Sequence, residues 1–172
     1  DPVLQEKSAW LNVTFFFGRL AFYFAGWIFL GRKMVKHSVR QDDDGDLEHT
    51  RKNIRYSALF VLFGAVTFCF ASFDLLMSLE SHWYSTVFGL LALSGLFLNA
   101  MAAVTIVAVI LRKMGYDHII TSDHMADLGK LLMSFSAFWV YMWVSQQLLI
   151  WYSNIPEETS YYIFRHFGGW GS

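Results

Sequence analysis

Two charged side chains stand where an apolar run would least tolerate them. Arg19 interrupts NVTFFFGRLAFYFAGWIFLG, and Asp74 interrupts SALFVLFGAVTFCFASFDLLMSL. Read as membrane-crossing helices, the first run places Arg19 ~10 Å in from its start and the second places Asp74 ~8 Å in from its end, at 1.5 Å per residue. The runs are consecutive and antiparallel, so the two depths nearly match and the two groups are expected to pair. A lone charge in lipid costs at least ~2.5 kcal/mol, so pairing toward the bundle interior is the least costly way to keep both. Three roles follow: an ion pair that locks the helices, a proton or quinol-headgroup site built on the carboxylate, or an Arg19 that snorkels to the surface.

A second set lies at helical spacing. Lys130, Ser134, Tyr141, Ser145 and Tyr152 are separated by steps of four, seven, four and seven, and Asp127 extends the row by three. These positions share one helix face. Hydroxyls on such a stripe either hold a water file that passes protons from the Asp127 and Lys130 end, or hydrogen-bond to neighbouring helices. A third group, Glu80, His82, Tyr84 and Gln147, gathers at the opposite ends of the spans. There it is a candidate for a quinone headgroup, although Gln146 and Gln147 serve equally well to satisfy backbone or lipid headgroups. Asn99 and Ser94 are neutral polar groups in the third block, where Ala92, Gly95, Asn99 and Ala103 make a small-residue face suited to close helix packing.

The elements that must position these groups follow from composition. Of 172 residues, 55% are hydrophobic and 16% charged, below the roughly one quarter usual in soluble domains. The apolar residues fall into four blocks, at about 12–31, 57–79, 85–111 and 131–152, each near the ~20 residues that cross a bilayer. No block alternates as a transmembrane β-strand does. The expected fold is therefore an all-α membrane protein whose four transmembrane helices form one antiparallel bundle. Its loops are 32–56 and 112–130 on one side and a short LESHWY on the other.

Arg32, Lys33, Lys36, Arg40, Arg51, Lys52, Arg55, Arg112, Lys113 and Lys130 all fall in the first and third loops, against Lys7 and Arg165 opposite. The positive-inside rule puts those loops in the cytoplasm and both ends of the chain outward, with Trp10, Trp83, Tyr84, Trp151 and Tyr152 at the outer interface. An even span count in that orientation suggests further flanking spans. The opening DPVLQEKSAW lacks the basic region of a secretory signal and reads as the interior of a longer chain or as a processed start. The DDDGD run reads as a solvated turn, since Arg40 and Arg51 stand where a Ca²⁺ loop needs acids.

The six histidines all lie in loops or at interfaces, so no intramembrane haem is expected, and the single Cys69 offers no cluster or disulfide framework. No metal site or bound redox cofactor is expected on this chain. A net charge of −1 gives no signal for nucleic acid.

DPVLQEKSAWLN with FFFGR, FASFDLLMSLESHWYSTVFG, ADLGKLL and WYSNIPEET together resemble one family. It comprises the ActF-type integral membrane subunits of alternative complex III, relatives of the NrfD/PsrC-type quinone-interacting membrane proteins. SLESHWYST and IWYSNIPEET are the most specific blocks, and the resemblance covers nearly the whole chain. It implies a subunit of a quinol:electron-acceptor oxidoreductase in a bacterial inner membrane, of which this chain would be one bundle. The implied partners are membrane lipids, an iron–sulfur protein, multihaem cytochromes c and a homologous quinol-binding membrane subunit. Haem c and Fe–S clusters would then belong to those partners. This chain would be structural and proton-conducting; the alternatives are a quinol-binding catalytic subunit, or a membrane scaffold or transporter fragment.

Overall fold

A computed structural model describes residues 10, 12–80, 83–156, 159 and 162–163. Four long helices account for most of them: α1 (Val13–Asp44), α2 (Leu47–Leu75), α3 (Phe88–Lys113) and α4 (Ser122–Ser153). A 3₁₀ turn, Met77–Leu79, follows α2, and no strand occurs among the described residues.

Three helices, α1, α2 with its 3₁₀ turn, and α3, are long and apolar enough to cross a membrane. The fourth expected span is a helix of 32 residues, but Ser134, Ser136, Tyr141, Ser145, Gln146 and Gln147 dilute its apolar character. Between 11% and 22% of the residues in the three apolar windows are buried, so most of those surfaces face lipid or other helices.

The polar stretches expected as long loops are largely helical. α1 continues to Asp44, and only Gly45 and Asp46 separate it from α2. No Gly or Pro interrupts 32–44, and Arg, Lys, Met and Gln are good helix formers. Gly45 ends α1 in the left-handed region at φ 68°, its N–H donating to the Gln41 carbonyl. The Asp46 side chain then caps α2 by accepting from the Glu48 N–H. Glu48 pairs with Lys52 at 2.8 Å one turn on, and Thr50 Oγ1 donates to Gln41 Oε1 across the turn. DDDGD thus ends in a turn, as its composition suggests, but a tight one between two helices. The second polar stretch shrinks likewise to residues 114–121, where Thr121 and His124 form a reciprocal cap on α4.

The chain divides into two compact units, Asp1–His82 and Trp83–Ser172. The first is the antiparallel hairpin α1–α2. Its seam runs from Arg19 against Asp74, through Trp27 Nε1 donating to Thr67 Oγ1 at 2.9 Å, to His37 stacked on Tyr56 with centroids 5.6 Å apart. The second is the hairpin α3–α4, in which Phe97 stacks on Phe135 at 5.3 Å and Gly95 lies against Trp139.

At Gly26 the seam is so close that an added Cβ would overlap the Phe63 ring. Helix propensity alone favours Ala over Gly by roughly 0.5–1 kcal/mol, whereas overpacking costs about 1–3 kcal/mol. Gly26→Ala should therefore lower the unfolding temperature of the detergent-solubilised protein. In a Phe63→Leu background, which frees the space, the same substitution should become neutral or stabilising.

Candidate functional site

The antiparallel pairing of α1 and α2 sets the early turns of α1 beside the end of α2. Arg19 and Asp74 meet there as a forked pair, Nη2 donating to Oδ1 at 2.7 Å and Nε to Oδ2 at 3.0 Å. Asp74 is 1% exposed and Arg19 9%. Trp10 closes the arrangement from in front of α1. Its indole Nε1 donates to Asp74 Oδ1 at 2.9 Å, and its carbonyl accepts from Arg19 Nη1 at 2.9 Å. The guanidinium carbon lies 4.1 Å from the Trp10 ring centroid and 4.5 Å from that of Phe15, so two aromatic faces cover the cation. Tyr23, one turn along α1, is buried beside the pair.

The result is a closed ring of hydrogen bonds. Both Asp74 oxygens accept, as an ionised carboxylate does, and three donors occupy them. Arginine does not deprotonate in proteins. Trp10 and Arg19 thus fill three of the roughly four acceptor positions of the carboxylate, so a proton reaching Asp74 competes with them. The geometry is that of a lock, and Arg19 points to its partner rather than snorkelling outward.

The hydroxyl stripe on α4 is not gathered into one buried file within its unit. Lys130 Nζ pairs with Asp127 Oδ1 at 2.9 Å on an exposed surface, which holds the Asp127 carboxyl below its ordinary value through the hydrogen bond and then the lysine charge. Ser134 Oγ donates back to the Lys130 carbonyl, Tyr141 is 65% exposed and Ser145 is half-buried. The α4 residues turned inward are Phe135, Trp139, Met142, Gln146 and Ile150, which share a different face.

At the far end of the α3–α4 unit a cavity of about 280 Å³ is lined by Tyr84, Ser85, Gln146, Leu149, Ile150 and Ser153, among others. Gln146 is 1% exposed, and its Oε1 accepts from Ser85 Oγ at 2.9 Å. Gln147, the neighbour expected there from the sequence, is half-buried and does not line the cavity; the helix turn sends Gln146 inward instead. Tyr84 does line it. Glu80 is exposed at the end of the 3₁₀ turn in the other unit, and His82 lies outside the described residues.

Sequence reasoning places Trp10 only in the interfacial aromatic belt and misses its part in the ring. The signal for that second role is Phe15, four residues before Arg19 and so on the same face, with another aromatic just ahead of the helix. Among the described residues no group of three or more His, Cys, Asp or Glu side chains is placed to hold a metal ion. The sequence matches no protein-family model and no curated protein.

Removing one partner of a buried ion pair typically costs about 3–5 kcal/mol, because the other charge is stranded. Asp74→Ala and Arg19→Leu should each sharply lower the unfolding temperature in lipid nanodiscs. The double variant Arg19→Leu/Asp74→Leu should be less damaged than either single one. Asp127→Asn, on the exposed pair, should leave unfolding at pH 7 unchanged. Because the Asp127 pKa is lowered in the fold, any stabilisation from that pair is present above its unfolded value and is lost on acidification through the folded one. Equal losses at Asp74 and Asp127 would contradict the assignment of the ring as the structural lock.

Proposed function

We propose that the chain is an integral membrane subunit of a respiratory quinol:electron-acceptor oxidoreductase of the ActF type, carrying no redox cofactor of its own. The SLESHWYST and IWYSNIPEET blocks support the respiratory assignment. The enclosed Trp10–Arg19–Asp74 ring, at one end of two helices apolar enough to cross a membrane, supports an intramembrane structural role. In this reading the two hairpins pack into one four-span antiparallel bundle with α4 as the fourth span. The membrane is the bacterial inner membrane, the basic helix ends face the cytoplasm and both ends of the chain face outward. Partners are lipids, a homologous quinol-binding subunit, an iron–sulfur protein and multihaem cytochromes c. Proton conduction in this reading runs through a transient opening of the ring, when Trp10 or Arg19 releases Asp74.

A second reading, a quinol-binding subunit, is favoured by the cavity at Tyr84 and Gln146. It is apolar over most of its wall, with a buried amide and hydroxyls at one side, a pattern suited to an aromatic headgroup bearing oxygens.

Purification of the native assembly in mild detergent distinguishes these readings from a stand-alone scaffold or transporter. Iron–sulfur and c-type haem proteins should co-purify with the chain; their absence would end the respiratory reading. In liposomes, Asp74→Asn should lower proton translocation more than electron transfer in assemblies that still form. Gln146→Leu should leave the quinol oxidation rate unchanged under the first reading, and reduce it at least about tenfold, the equivalent of about 1.4 kcal/mol, under the second.

A further inference from the structure

The polar end of the α1–α2 hairpin carries a chain of three titratable groups remote from the ion-pair ring. His49 Nε2 lies 3.0 Å from Asp44 Oδ2, and His49 Nδ1 lies 3.0 Å from His37 Nδ1. Both rings are half-buried, and His37 is stacked on Tyr56 within 16° of parallel, which holds its plane. Asp44 stays about half exposed, so the chain ends in solvent.

The donor and acceptor roles are interdependent. An ionised Asp44 only accepts, so His49 Nε2 must carry a proton. In neutral His49 the Nδ1 is then a lone pair, and His37 Nδ1 must donate to it. Both rings are thereby fixed in opposite tautomers, His49 as the Nε2–H form and His37 as the Nδ1–H form. We propose that Asp44, His49 and His37 form a hydrogen-bonded chain that binds and passes a single proton at the polar end of this hairpin. The inference holds whether or not the hairpin belongs to a respiratory assembly.

Uptake begins at His37 Nε2, which bonds a proton from water. The His37 Nδ1 proton crosses to His49 Nδ1. His49 is then an imidazolium, with Nδ1–H donating to His37 and Nε2–H donating to Asp44. Discharge passes the Nε2 proton to Asp44 Oδ2 and on to water, and leaves both rings neutral in exchanged tautomers. One proton has entered at His37 and one has left at Asp44. Return to the starting tautomers needs the reverse transfer or a turn of both rings.

A second proton is opposed by geometry. With both rings cationic, two N–H groups would face each other across 3.0 Å. The surrounding charges divide between helices: Lys33 and Arg40 on α1 and Lys52 on α2 resist added positive charge, while Asp44, Asp46 at the turn and Glu48 on α2 favour it. Of the carboxylates, Asp44 touches the pair directly.

The test is nitrogen-15 NMR of histidine-labelled full chain in lipid nanodiscs across pH, with signals assigned through His37→Gln and His49→Gln. At neutral pH the wild type should show His37 as the Nδ1–H tautomer and His49 as Nε2–H. On acidification the pair should take one proton, and the second should bind at least about tenfold more weakly. Asp44→Asn should weaken the first proton about tenfold. The wild-type tautomers are decisive by themselves, so a variant that fails to fold does not rescue the idea. Two rings both in the Nε2–H form, independent titration of the two, or an unaltered midpoint in Asp44→Asn would each overturn the proposal.

Discussion

A carboxylate and a guanidinium hidden among apolar helices are tolerated only as a hydrogen-bonded pair, and the α1–α2 hairpin is built around that requirement. Asp74 accepts from Arg19 twice and from Trp10 once, while Arg19 also reaches the Trp10 carbonyl and lies between two aromatic rings. The satisfied ring fixes which residues of the two helices lie level with each other. From that level the rest of the seam follows: Trp27 beside Thr67, Gly26 under Phe63, His37 over Tyr56. Trp10, ahead of α1, is held by the same ring, because it contributes both an acceptor and a donor to it.

The second hairpin is held differently. Its helices meet through an aromatic stack and a glycine that admits the Trp139 edge, and a buried amide on α4 accepts from a serine just ahead of α3. Stacked rings and a close glycine contact hold helices together by packing, without relying on the expulsion of water. Gln146 is the exception, a polar group whose removal from solvent leaves space beside it. The two hairpins therefore offer opposite kinds of interior, one closed over a charge pair and one open at a neutral cavity.

Much of this is legible in the sequence, and the omissions have physical causes. The matched depths of Arg19 and Asp74 can be read from span positions alone, because helix rise is constant and the spans are consecutive. The identity of the third donor cannot, since Trp10 lies outside the periodic segment and its indole serves an interface or a carboxylate equally well. The charge of segment 32–56 suggests a loop, yet polar helix formers without Gly or Pro extend a helix into water readily. Gln146 and Gln147 are chemically identical neighbours, and only the turn of α4 against α3 separates them. His37 and His49 are 12 positions apart across a glycine turn, a pairing that becomes visible once Gly45 is known to end one helix and Asp46 to start the next.

The uninterrupted course of α1 gives its two chemically active ends a common phase. From position 19 to position 37 is about five full turns, and from 49 to 74 about seven. The ion pair and the histidine pair therefore sit on one azimuth of the same two rods, about 27 Å apart along α1 and about 38 Å apart along α2 at 1.5 Å per residue. Sliding one rod past the other by a single turn would unmake both at once. The hairpin is consequently a vernier with a single coincidence. Any signal that travels along it must do so as twist or flexure, and a one-residue insertion midway would swing one end by roughly 100° while leaving the other untouched.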